Sequence, residues 1–123
     1  MKKDIAKLWT AALRSGKYKQ GQHALHSIKN DNETFCCLGV LCDLYQQDRR
    51  KKKKKGLFVD KTTLHSIEYN YVSGILPHVV SKWAGMGSYN GGVRHTSLTQ
   101  LNDNFGYSFS VIAKFIEDNV EAL

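Results

Sequence analysis

The chain has 123 residues, 41% of them hydrophobic and 24% charged, with ten glycines, one proline and a formal net charge of +7. This composition fits a single domain with one core, and excludes a disordered, collagen-like or disulfide-stapled chain. No apolar run approaches the roughly 18 residues of a membrane-spanning helix. The amphipathic segment after the basic N-terminus carries Lys7 and Arg14, which excludes a signal-peptide core, so the expected location is the cytoplasm.

In chain order, Asp4 is positioned to cap a first helix, whose apolar stripe is Ile5, Leu8, Trp9, Ala12 and Leu13, and Gly16 supplies its stop. Residues 17–28 lack a helical period and read as a loop leading into a short strand at 24–28, with a turn at Asn30-Asp31-Asn32. The stretch from Phe35 to Tyr45 is apolar on every face and predicts a central buried helix, capped by Asn32 or Thr34 and running to about Gln47. Its three cysteines, Cys36, Cys37 and Cys42, lack zinc-site spacing and read as small packing residues.

Next comes Arg49-Arg50-Lys51-Lys52-Lys53-Lys54-Lys55. Taking these seven from the 18 Lys and Arg leaves 11, which balance the 11 Asp and Glu, so the tract accounts for the whole net charge. Seven like charges in a row predict a disordered basic loop over residues 48–56. Such a loop is either a solvated insertion or a sequence-blind phosphate binder, and no aromatic residue interrupts the run to stack on bases. Beyond it, Leu57-Phe58-Val59 predicts a strand, and Tyr69, Tyr71 and Val72 a second one that pairs with it. Leu76-Pro77 opens a helix with Val79, Val80 and Trp83 on one side.

Residues 85–95 form a glycine-rich loop without a nucleotide-binding fingerprint. It is either a flexible connection or an anion site supplied by Arg94 and His95. Ser97 and Ser108 cap two further helices, the second with an apolar stripe of Val111, Ile112, Phe115, Ile116 and Val120. These outline a helix-turn-helix, but the second helix carries Glu117, Asp118 and Glu121 against Lys114 alone, which favours a structural hairpin over a DNA reader. Asn102 and Asp103 are expected to terminate the shorter helix locally, the alternative being a pocket lining. The five histidines, at 23, 26, 65, 78 and 95, show no i, i+4 metal pair, and no catalytic pattern is legible from spacing. The fold class expected is a single mostly α-helical domain with a small accessory β element (α+β).

Four segments together resemble a family of small bacteriophage and prophage proteins of unassigned function. They are Ala12 to Gly21, Cys36 to Tyr45, the Leu76-Pro77 helix reaching Trp83-Ala84-Gly85, and Leu101-Asn102-Asp103 followed by Gly106 and Ser108-Phe109. The resemblance implies a phage origin and transfers no catalytic or cofactor residue.

The function expected from the sequence is a non-enzymatic phage accessory protein that binds and sequesters an anionic, nucleotide-like host immune signal, in a pocket that a homo-oligomer could close. Its expected ligand-binding residues are Arg14, Lys17, Tyr18, Lys19 and Gln20 in one cluster, Tyr89, Asn90, Arg94 and His95 in another, and Trp83 as a stacking surface. The alternatives are an inhibitor of a host protein, or a nucleic-acid binder acting through residues 49–55. No cofactor, metal or membrane is expected.

Overall fold

The computed structural model describes residues 1–61 and 66–123. Among these residues, five helices and three antiparallel two-stranded sheets make a small α+β domain: α1 (Lys3–Arg14), β1 (His26–Lys29), β2 (Asn32–Phe35), α2 (Cys37–Lys51), β3 (Val59–Asp60), β4 (Glu68–Tyr69), α3 (His78–Ala84), β5 (Gly92–Val93), β6 (Thr96–Ser97), α4 (Leu98–Asp103) and α5 (Phe109–Asp118). Each sheet is a local hairpin, β1 with β2, β3 with β4 and β5 with β6.

The buried helix is α2. Cys37, Leu38, Val40, Leu41 and Cys42 are all but inaccessible, and α1, α3, α4 and β2 pack around it. The helix begins later than its apolar run suggested. Asn32 and Thr34, read as alternative caps, lie in β2 with Phe35, and Cys36 is the N-cap residue. The competing signal is the turn. Asn30 and Asp31 both take positive φ, a primed two-residue hairpin turn that sets Lys29 opposite Asn32. Gly39 is what lets the incoming chain lie directly on α2, because a Cβ there would sit 1.7 Å from the carbonyl oxygen of buried Leu25.

The first helix starts at Lys3 without a side-chain cap, so Asp4 serves the first turn by its charge. Its buried face is Ile5, Ala6, Trp9, Thr10 and Leu13, packed on α5 and α2, while Leu8 stays half exposed. The indole N–H of Trp9 donates to the Cys37 carbonyl at 2.9 Å, which satisfies the polar atom of a fully buried ring. Ser97 and Ser108 cap α4 and α5 as read, accepting from the backbone N–H groups of Gln100 and Val111. Two stripe residues are misplaced by the periodicity: Val79 and Val111 face solvent, and Ser81 and Ala113 take the buried positions.

Asn102 is completely buried and is not a local helix terminator. Its Oδ1 accepts from the Gln20 amide at 2.9 Å and from the Cys37 backbone N–H at 3.2 Å, and its Nδ2 donates to the Gly21 carbonyl and to Asp103 Oδ1, both at 2.8 Å.

Gly39→Ala should cost about 2–3 kcal/mol of stability by overpacking the contact with Leu25, read as a fall in chemical-denaturation midpoint with unchanged slope. An unchanged midpoint would mean that the chain crossing at Leu25 is not fixed by this contact.

Candidate functional site

The first expected cluster is largely committed to holding the fold. Arg14 pairs with Glu117 on α5, an interaction that raises the arginine pKa and lowers that of the carboxylate. The Tyr18 hydroxyl donates to Asp43, and its ring meets Phe35 edge-on; burial, then the hydrogen bond to Asp43, raise its pKa. Lys19 Nζ donates to Asn32 Oδ1 at 2.7 Å. The Gln20 side chain binds Asn102 and the Tyr107 carbonyl and caps the Phe109 backbone N–H. Lys17 lines a shallow depression with Leu8, Tyr18 and Gln47.

The second cluster spreads over different surfaces. Arg94 and His95 form the exposed turn between β5 and β6, so the glycine-rich segment contains a hairpin. Arg94 reaches a cleft of about 540 Å³ between α1 and α5. Tyr89 lies on another face against His78, its hydroxyl 3.2 Å from Nδ1. Asn90 is exposed and gives its carbonyl to Thr99. Trp83 packs edge-on against Tyr45 with centroids 5.5 Å apart. The cavities that Lys17 and Tyr18, Arg94, and Tyr89 line are separate ones, and none of these is lined by both clusters.

The basic tract departs most from expectation. Arg49, Arg50 and Lys51 are the last turn of α2, where cations oppose the negative end of the helix dipole. The next residues close the helix as a Schellman cap rather than a disordered loop. Lys53 takes φ +52°, its N–H bonds the Arg50 carbonyl at 3.1 Å, and the Lys54 N–H bonds the Arg49 carbonyl at 2.9 Å. Glycine is the usual residue at the left-handed position, and a lysine there costs about 1 kcal/mol. Arg49 folds back: its guanidinium lies 5.7 Å from the centre of the Tyr45 ring and donates to the Lys55 carbonyl. Lys52 pairs with Asp48 at 3.2 Å. The side chains of Arg50, Lys51, Lys53, Lys54 and Lys55 project into solvent, and none forms an ion pair among the described residues.

Beside this cap lies an aromatic pair that the sequence reading missed. Phe58 and Tyr71 stack at 5.3 Å with 26° between their planes, and they are 52% and 74% exposed. The run carries no aromatic of its own, and Tyr71 is 16 positions beyond it, so only the pairing of Phe58 with the 70–71 turn could have revealed the pair.

Cys36, Cys37 and Cys42 are buried, and desolvation raises the pKa of each, Cys36 to about 11, which disfavours the thiolate. Among the described residues, no three His, Cys, Asp or Glu side chains gather around a metal position; His65 lies outside them. No described helix is long and apolar enough to cross a membrane.

His26 joins two of the hairpins. It stacks on Phe35 at 4.1 Å, its Nδ1 lies 2.7 Å from the Tyr69 hydroxyl and its Nε2 lies 3.0 Å from Glu33. The carboxylate only accepts, so Nε2 carries the proton and Nδ1 accepts from Tyr69. Burial lowers the His26 pKa, outweighing the pull of Glu33. The unfolded chain therefore binds a proton here more readily than the folded one, and the His26 contribution to stability falls as pH drops below about 6.5. His26→Gln should flatten the pH dependence of the melting temperature between about pH 7 and pH 5; an identical slope in the variant would show that His26 is not the titrating group.

No curated protein and no solved structure matches the chain. A family model does match, over residues 1–120, so the chain belongs to a family described as a domain of unknown function, DUF8296.

Proposed function

We propose that this protein is a non-catalytic binding module that engages the phosphate backbone of a nucleic acid through the cationic cap at the end of α2. The observation that carries this reading is the construction of the cap. Five cations that form no ion pair among the described residues are mounted on a hydrogen-bonded helix terminus, next to a body of balanced charge. A fixed array of cations releases counterions from a phosphate chain without first paying to order a loop. α2 gives its apolar faces to the core, so it is not itself an amphipathic helix that could lie in a membrane surface.

The test replaces Arg50, Lys51, Lys53, Lys54 and Lys55 by glutamine and leaves Arg49 and Lys52 to hold the cap. The wild-type protein should bind a labelled oligothymidine with an affinity that falls by about three to four decades per decade of salt, near 0.7 for each engaged cation. The variant should lose that dependence and at least about tenfold in affinity at low salt, with its melting temperature nearly unchanged, as expected for exposed positions. Wild-type protein that fails to bind at low salt, or a variant that binds equally well, would refute the reading.

A second reading is favoured by the charge pairing around the α1–α5 cleft. Glu117 and Asp118 are engaged by Arg14 and Lys114, so Lys3, Lys7 and Arg94 face the space with Glu121 as the remaining carboxylate. The volume suits a small anion of nucleotide size. In this reading a phage accessory protein holds a nucleotide-type signal without turnover. Cyclic di- and trinucleotides should then raise the melting temperature of the wild-type protein and leave that of Arg94→Gln unmoved; no shift in either protein would dispose of it.

A further inference from the structure

We infer that Phe58 and Tyr71 form a base-stacking platform at the foot of the cationic cap, so that the nucleic acid engaged is single-stranded. This deepens the proposed phosphate-binding reading and rests on it. Phe58 follows Lys55 by three residues, which puts its Cα within about 11 Å of the last lysine. Its position relative to Tyr71 is fixed by reciprocal hydrogen bonds. The Phe58 N–H donates to Asn70 Oδ1 at 2.7 Å, and the Asn70 N–H donates to the Phe58 carbonyl at 2.8 Å. Asn70 and Tyr71 are the two central residues of a primed turn, closed by the pairing of Tyr69 with Val72, with φ of +50° and +67°.

Asparagine followed by glycine is the favoured pair for such a turn. Here the second position holds a tyrosine, a bulky residue at a backbone conformation that disfavours it. The residue is 74% exposed, and among the described residues its ring stacks on Phe58, itself half exposed. A residue kept at a strained position without burial points to a role outside folding. Aromatic faces beside a track of lysines are what a single strand requires: phosphates lie on the cations and unstacked bases on the rings. A duplex hides its base faces and gains nothing from the pair.

A groove of about 300 Å³ opens from Asn70 past Ile75 and Val79 to Tyr89, whose ring meets His78 edge-on. This groove offers an apolar bed and a further ring for the next bases.

The experiment measures binding by fluorescence anisotropy for three probes: oligothymidine, a duplex of the same length, and inorganic polyphosphate, which has charge but no bases. Wild-type protein should prefer oligothymidine to the duplex. Tyr71→Ala should weaken oligothymidine by about 5- to 100-fold, the value of one stacked base, and leave duplex and polyphosphate unchanged, while Tyr71→Trp should retain single-strand binding. Tyr71→Gly should lose affinity yet melt higher than wild type, because the turn is relieved; a purely structural tyrosine would melt lower. Equal binding of all three probes with no effect of Tyr71→Ala would overturn the platform and leave the cationic reading standing. Binding of none would overturn both, as would affinity for phosphatidylserine vesicles with none for oligothymidine.

Discussion

One buried side-chain amide ties the separate parts of this fold together. Asn102 lies at zero exposure and engages the loop after α1 through Gln20 and Gly21, and the start of α2 through the Cys37 N–H. Gln20 passes the connection on to the first backbone N–H of α5. A polar group removed from water must find all its partners inside the protein, so its hydrogen bonds act as positional constraints rather than as a large net energy. The small hairpins contribute little core of their own, and a two-stranded ribbon alone is marginal. This amide gives the irregular segments a fixed geometry against the helices.

The Arg14–Gln20 segment commits four of its side chains to internal partners, Glu117, Asp43, Asn32 and Asn102. A cluster of polar side chains in a chain with a formally neutral body is as easily a set of internal staples as a receptor. The cationic tract is the reverse case. Among the described residues, the ion pair shown for the tract is that of Lys52 with Asp48.

The helices and their serine caps were legible in the sequence because each depends on residues within one or two turns. Ser97 and Ser108 precede their helices by one position and meet their own third-following N–H groups. The central burial of α2 was legible because apolar residues cover all its faces. What was not legible depends on contacts between distant segments. Asn102 meets partners 65 to 82 residues away, and the pairing of Phe58 with Tyr71 is set by a turn whose usual glycine is missing. The tract was misread because repulsion between like charges was weighed without the helix dipole, the ring of Tyr45 and the Schellman bonds that together end the helix.

The cap has one more property. Lys51 to Lys55 are chemically identical, so no residue marks where the helix must stop. Sliding the terminus by one position exchanges lysine for lysine and alters no side-chain identity at the left-handed site. The ends of the segment are anchored instead: Arg49 lies over Tyr45, and the Gln46 side chain accepts from the N–H of buried Leu57 at 2.7 Å. Between those anchors it is the bonds from the Lys53 and Lys54 N–H groups to the Arg50 and Arg49 carbonyls, and not the identity of any lysine, that hold the charges in one arrangement.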